Sequence, residues 1–361
     1  MSKARQLADF SDIAPDIGRR NLIINGAMQV AQRGTSETGV TSMKYANAPD
    51  HYQLVINNMG AYTVSQSTDA PDGFANSYKI QCTTADASPA AGDYFFFWTK
   101  HEGQDVQHLK FGTASAQQLT LSFWVKSNMT GTWQVNFRDK DNGRLITGTY
   151  TTNSADTWEY KTITVDGDTG SSGFTNDNNE SFSLEFPLGA GTDFTSGTAP
   201  TAWEGSVNAN RAASNTVNIA SSTSNYWAIT GVQLEVGSVA TPFEHRSYGE
   251  SLALCQRYFY RSIGGTIIGA YIDSNRIDAT IHFPTTMRAT PTITASSGTN
   301  YWYAYTGGSP DYFNAWSGAG GASVNNGSMY VSSGEISGPD NAGCQISFST
   351  DDSYFQADAE L

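Results

Sequence analysis

The chain has 361 residues, a formal net charge of −14 and only 15% charged residues. That acidity argues against nucleic acid or an anionic membrane as a partner. No stretch nears the roughly 18 consecutive apolar residues that a membrane helix needs. With 35 glycines, 12% aromatic residues and a polar fraction dominated by Ser, Thr, Asn and Gly, the composition predicts an all-β protein of short strands and tight turns.

Residues 1–20 are polar, contain Pro15 and end in Gly18-Arg19-Arg20. Asp9 and Asp12 stand where a signal peptide would need an apolar run, so export by that route is not expected. A segment of this kind cannot make a core alone, and it is read as a docking segment for other proteins.

Residues 21–246 read as strand after strand. In 119–126, Leu119, Leu121, Phe123 and Val125 alternate with Thr120, Ser122 and Trp124. Residues 132–138 place Trp133, Val135 and Phe137 on one face. Asn142-Gly143 then predicts a type I′ hairpin, with positive φ at both positions, leading into 144–151. Residues 158–165, 181–186 and 226–236 complete the clear strands, and together they predict a jelly-roll β-sandwich.

Ser247 and Glu250 fit a capping box, and Leu252, Cys255 and Phe259 follow at helical spacing, so 248–262 is predicted as a helix within a joint spanning 247–262. Strands at 266–272, 278–283, 291–295 and 353–357 then predict a smaller C-terminal β domain over 263–361. In 300–316 aromatics are dense and strand alternation is not evident, so this stretch is read as a loop.

Four segments carry a family resemblance: Asn21-Leu-Ile-Ile-Asn-Gly-Ala-Met with Gln32-Arg33-Gly34; Trp227 to Gly237 followed by Thr241-Pro-Phe-Glu-His-Arg246; Leu254-Cys-Gln-Arg-Tyr258; and the final Ala357 to Leu361. In this order they resemble phage tail-fibre and virion structural proteins that carry a carbohydrate-binding-module-like jelly roll. The resemblance covers nearly the whole chain. It implies a location in the virion, a role in adsorption or capsid decoration, assembly as a homotrimer, and attachment to other virion proteins through residues 1–20. It also implies pairing of the first and last strands near Asn25-Gly26 and Gln233-Leu234-Glu235. Related modules hold a structural Ca²⁺ near this seam, which makes Glu235 a candidate metal ligand beside its plainer reading as an outward glutamate.

Catalytic signals are sparse. The five histidines lack zinc-ligand spacing, and there is no nucleophile elbow or phosphate loop. Glu102 with Asp105, or Glu180 with Glu185, are the carboxylate pairs that glycoside hydrolysis could use, yet neither sits in a recognisable motif. The three cysteines, Cys82, Cys255 and Cys344, have no metal or redox spacing and are read as buried thiols. Asp139-Lys-Asp-Asn-Gly143 has Tyr150 where a calcium loop needs Glu, so it is read as a turn.

Two aromatic clusters suit sugar binding, because rings stack on sugar C–H faces while polar neighbours bind hydroxyls. In Tyr94-Phe-Phe-Phe-Trp98 with Lys100, Phe95 and Phe97 are expected in the core, and Trp98 and Lys100 are the binding candidates. In the second cluster the candidates are Trp302, Tyr305, Tyr312 and Trp316, unless neighbouring subunits cover them. The expected function is a non-enzymatic fibre or adhesin subunit that binds host-surface glycan. A capsid-attached head fibre or decoration protein is the alternative, and a glycan depolymerase is the reading from a different class.

Overall fold

The computed structural model describes residues 20–350 and 352–361. Residues 1–19 of the expected docking segment lie outside the described residues. The chain divides between Ser251 and Leu252 into two compact units, each nearly all β.

The first unit contains β1 (Ser36–Val40), β2 (Lys44–Tyr45), β3 (Gln53–Asn57), β4 (Ala61–Ser67), β5 (Ser77–Thr84), β6 (Tyr94–Glu102) and β7 (Leu119–Ser127). It continues with β8 (Gly131–Asp139), β9 (Arg144–Thr152), β10 (Glu159–Val165), β11 (Glu180–Ala190), β12 (Glu204–Gly205) and β13 (Tyr226–Val236). One antiparallel sheet has the order β1-β4-β5-β13-β7-β10, the other β12-β9-β8-β11-β6-β3-β2. The expected jelly-roll sandwich is the observed class.

Period-2 alternation builds its core. Tyr62, Tyr78, Phe123 and Trp227 of the first sheet share one buried cluster with Phe95, Phe97, Trp133 and Phe186 of the second. The two indoles are satisfied inside, whereas the Tyr62 and Tyr78 hydroxyls are buried without a hydrogen-bond partner among the described residues. The Trp227 Nε1–H donates to the Tyr150 hydroxyl at 3.0 Å, and the Trp133 Nε1–H to Thr152 Oγ1 at 3.0 Å.

The β8–β9 hairpin differs in detail from its expectation. The last pair is Asp139 with Arg144, so four residues form the loop, and only Gly143, with φ +61°, is left-handed. Asp139 explains the difference: its carboxylate accepts the Asn142 N–H at 3.0 Å and the Asn142 side-chain amide, which holds a longer turn. Nothing lies within 4 Å of a Cβ built on Gly143. Gly143→Val therefore adds strain without a clash, and about 1–3 kcal/mol of lost stability is expected in a denaturant titration. An unchanged midpoint would contradict the turn assignment.

Residues 21–26 are not a ladder strand but dock onto β13. Leu22 N–H donates to Leu234 O at 2.9 Å, and Val232 N–H donates to Gly26 O at 2.9 Å. A Cβ on Gly26 would sit 2.1 Å from Val232 O, so only glycine permits this approach.

Ser247 and Glu250 cap the helix reciprocally, the Glu250 N–H donating to Ser247 Oγ at 3.2 Å and the Ser247 N–H to Glu250 Oε2 at 3.3 Å. The helix covers Tyr248–Gln256 and is shorter than expected. Phe259–Ile263, rich in aromatic and β-branched residues, instead forms β14 and pairs with the last strand. No helix of the described residues is long and apolar enough to cross a membrane.

The second unit adds β15 (Thr266–Asp273), β16 (Arg276–His282), β17 (Thr292–Ala295), β18 (Trp302–Tyr305), β19 (Asp311–Phe313), β20 (Gly318–Ala322), β21 (Asn326–Ser332), β22 (Gly343–Phe348) and β23 (Tyr354–Asp358). A three-stranded sheet, β14-β23-β17, and a seven-stranded one, β19-β18-β22-β15-β16-β21-β20, contribute to one core. The segment expected as a loop contains β18 and β19. Trp302 and Ala304 are buried, while Tyr303 and Tyr305 point outward, so alternation does hold there.

Candidate functional site

The second sheet of the first unit has an outward face where polarity and aromatic surface meet. In β6 the residues between the core positions Phe95 and Phe97 and beyond them, Tyr94, Phe96, Trp98 and Lys100, point away from the sandwich core. Registration sets their neighbours: Trp98 lies opposite Gln53 of β3 and Glu185 of β11, and Glu185 opposite Asn136 of β8. In the next row Lys100, Ser183 and Arg138 are aligned across β6, β11 and β8. Residues 194–212 pack beside this face, where Phe194 and Ala212 join Val55 and Phe96 in a small cluster flanked by Tyr94 and Trp98.

Glu185 organises the charges. It is fully buried, and Arg138 Nη1 lies 2.6 Å from Oε1 while Arg211 Nη2 lies 3.0 Å from Oε2. The Asn136 side-chain amide donates to Oε2 at 3.2 Å. Burial would push its carboxyl up, but the Arg211 and Arg138 charges and these hydrogen bonds outweigh that and hold it below the usual range. Lys100 Nζ pairs with Glu180 Oε2 at 3.3 Å. Two cations approach the Trp98 ring, Lys100 at 5.7 Å and Arg211 at 5.6 Å from its centroid.

Several polar atoms on this face are buried without a hydrogen-bond partner: Gln53 Oε1, Trp98 Nε1, Arg138 Nε, Glu180 Oε1 and Ser183 Oγ. Each such atom costs about 1–3 kcal/mol if left unpaired. Three donors and three acceptors (the Ser183 hydroxyl serving as both) are spread along this face, from Gln53 opposite Trp98 to Glu180 four residues further along the β6–β11 ladder, and sugar hydroxyls match that set because they donate and accept.

Trp98 and Lys100 thus fall together, and Gln53, Arg138, Ser183, Glu185 and Arg211 complete the face. Glu185 enters the sequence reading only as half of a carboxylate pair. The structure assigns it to two guanidinium groups, and a carboxyl held ionised cannot serve as a general acid. The outward alternation of Arg138 and Ser183 was the available signal for the others; Arg211 sits beyond any strand and has none.

The other candidates separate. Trp302 is completely buried and stacks on Phe313 at 6.4 Å, so it is a core residue and not a surface ring. Trp316 packs against the same core, its centroid 5.5 Å from that of Trp302. Tyr305 and Tyr312 are each 43% exposed on the outer face of the seven-stranded sheet, with Tyr303 5.6 Å from Tyr312. Alternation explains the division, since each strand sends half of its rings inward.

Glu235 faces away from the sandwich core, as its alternation with Leu234 requires, but it is buried there beneath the segment that follows β13. Its Oε1 accepts the Thr241 N–H at 2.8 Å and the Gln233 amide at 2.9 Å, and Oε2 accepts the Thr241 hydroxyl at 2.6 Å. Those three hydrogen bonds show that Glu235 fastens the chain after β13. Among the described residues no cluster of three His, Cys, Asp or Glu side chains has metal-binding geometry. In the acidic loop after β10, Asp166 is exposed and accepts from the Gln118 amide at 2.7 Å, whereas Asp168 is buried, pairs with Arg144 at 2.5 Å and accepts the Gly170 N–H at 2.9 Å. Cys82, Cys255 and Cys344 are buried free thiols.

No family model matches the chain, and no curated protein does. Among solved structures, the enzymatically active domain of tailspike protein 4 from bacteriophage CBA120 is similar at 14% identity, with a TM-score of 0.32. That match covers 60% of this chain and 22% of the tailspike chain. A CBM4 structure is similar at 15% identity and a TM-score of 0.30, covering 59% of this chain and 98% of its own. A family 11 carbohydrate-binding module from Clostridium thermocellum, in complex with a β-1,3-1,4-mixed-linked tetrasaccharide, is 10% identical with a TM-score of 0.28, covering 58% and 99%.

Proposed function

We propose that the chain is a non-enzymatic virion fibre or adhesin subunit that binds host-surface glycan through the outward face of β3, β6, β11 and β8. The observation that carries this reading is the set of buried donors and acceptors without a protein partner on the face that holds Trp98. A glycan on this face stacks a ring on the part-exposed indole, and it reaches the buried Ser183 Oγ, Arg138 Nε and Gln53 Oε1 only as the side chains over them shift aside. The virion location and attachment through residues 1–20 rest on the family resemblance. So does assembly as a homotrimer, which would also cover apolar surface such as Ile268, 67% exposed, and Tyr305.

Glycan arrays probed with the purified chain test the binding. Trp98→Ala is expected to weaken binding at least about tenfold, through lost stacking and one lost hydrogen bond. Ser183→Ala removes a hydroxyl that has no protein partner, so binding falls while thermal stability stays level or rises. Undiminished glycan binding by both folded variants would contradict the assignment. Light scattering of the same preparation reads the assembly, and a monomer mass at micromolar concentration would contradict the trimer.

A further inference from the structure

At one end of the sandwich, the connection from β6 to β7 and the connection from β10 to β11 flank an open cavity of about 600 Å³ at the surface. Its lining includes Gln107, Lys110, Phe111, Thr113, Ser172 and Phe174. It uses none of the residues on the Trp98 face. The volume falls within the range of small-ligand sites, about 300–1,000 Å³.

The two loops are held in place before any ligand arrives. The Gln107 side-chain amide donates to Phe174 O at 3.1 Å and to Gly103 O at 2.9 Å. The Gly112 N–H donates to Asp168 O at 2.7 Å. Phe111 and Phe174 stack, with centroids 5.0 Å apart and planes 28° from parallel. Phe111 is buried, whereas Phe174 is only half-buried and offers ring surface to the cavity.

Lys110 is the unusual member. Its backbone is left-handed, with φ +54° and ψ +30°, a conformation that lysine seldom adopts and glycine takes without strain. The turn imposes it: the Lys110 N–H donates to Gln107 O at 3.1 Å, and the Thr113 hydroxyl donates to Lys110 O at 2.8 Å. Glycine would serve the turn better, so the side chain itself needs an explanation. The ammonium is exposed and makes no ion pair with any described residue. In a chain of net charge −14, a cation left unpaired at the rim of a cavity offers a site for an anion.

We infer that this cavity is a second saccharide site, one that takes a sugar bearing a carboxylate, with Lys110 as the carboxylate's partner. Phe174 provides an apolar wall for the C–H face of the pyranose. Ser115 and Ser172 of the lining bring hydroxyls for the sugar's own, while the Thr113 hydroxyl is taken up by the turn. Binding is non-covalent and independent of the Trp98 face, so either site can fail without the other.

Calorimetric titration of the full chain with a uronic-acid oligosaccharide, a sialylated one, a sulfated one and a neutral counterpart tests the inference. A carboxylated sugar is expected to bind, and Lys110→Gln and Lys110→Gly are each expected to weaken it about tenfold or more, the worth of one charge-assisted hydrogen bond. Lys110→Gly should also keep or raise the melting temperature, because it relieves the left-handed backbone, so lost binding cannot be put down to misfolding. Trp98→Ala should leave this binding unchanged. Carboxylate binding insensitive to Lys110, binding of the sulfated sugar alone, or no binding of any anionic sugar would each overturn the assignment.

Discussion

Trp302→Ala is expected to lower the stability of the second unit by about 3–5 kcal/mol, the range for emptying a large aromatic site in a core. The indole has no exposed surface and packs against Phe313, Trp316 and Phe348, the last with centroids 4.8 Å apart. Its Nε1–H donates to Ser296 O at 3.1 Å, so the change leaves a carbonyl unpaired as well as a void. Trp302→Phe, which keeps most of the volume but not the donor, should cost less. Urea unfolding followed by circular dichroism measures both. A variant with native stability and diminished glycan binding would return Trp302 to the surface role that its sequence neighbourhood suggests.

Glu185→Gln is expected to destabilise the first unit by about 3 kcal/mol. The change leaves Arg138 and Arg211, whose side chains are 14% and 11% exposed, without their shared counter-charge. The pH dependence has a definite sign. Because the folded-state pKa of Glu185 is depressed, the stability it confers is complete above the unfolded-state value, about 4.3. That stability is lost as pH falls through the lower folded value. Denaturant midpoints of the wild type and Glu185→Gln, measured from pH 6 down to pH 3, should therefore converge toward the acid end. A constant gap across that range would show that the carboxylate charge is not what holds the two arginines.

Much of the fold was legible because strands announce themselves by alternation. In β7 and β8, Leu121, Phe123, Val135 and Phe137 fall inward as their spacing requires. Phe95 and Phe97 fill the core as expected, which leaves Trp98 and Lys100 to face outward. Alternation was hidden where residues were small or the run short. β18 has four residues and β20 is Gly-Ala-Gly-Gly-Ala, so rings such as Trp302 were read as loop side chains.

Partners across strands were less legible than faces within one. Nothing in the spacing of Gln53, Trp98, Ser183 and Arg138 says that β3, β6, β11 and β8 are neighbours; only the strand order of the folded sheet brings them together. Arg211 reaches Glu185 from outside the sheet, across 26 residues of chain, and no local pattern encodes that contact. Glu235 is the converse: its strand neighbours gave it a face, but the hydrogen bonds from Thr241 that occupy its carboxylate come from a segment with no periodicity.

The most direct measurement of the central claim follows the Trp98 indole N–H itself. The chain has 8 tryptophans, so the indole region of a nitrogen–proton spectrum is sparse, and Trp98→Phe assigns the signal by its disappearance. On titration with glycan prepared from the host surface, the Trp98 signal should shift as its unpartnered N–H gains an acceptor. The signals of the buried Trp133, Trp227 and Trp302 should stay in place. A glycan that binds while the Trp98 signal remains fixed would contradict the proposed site.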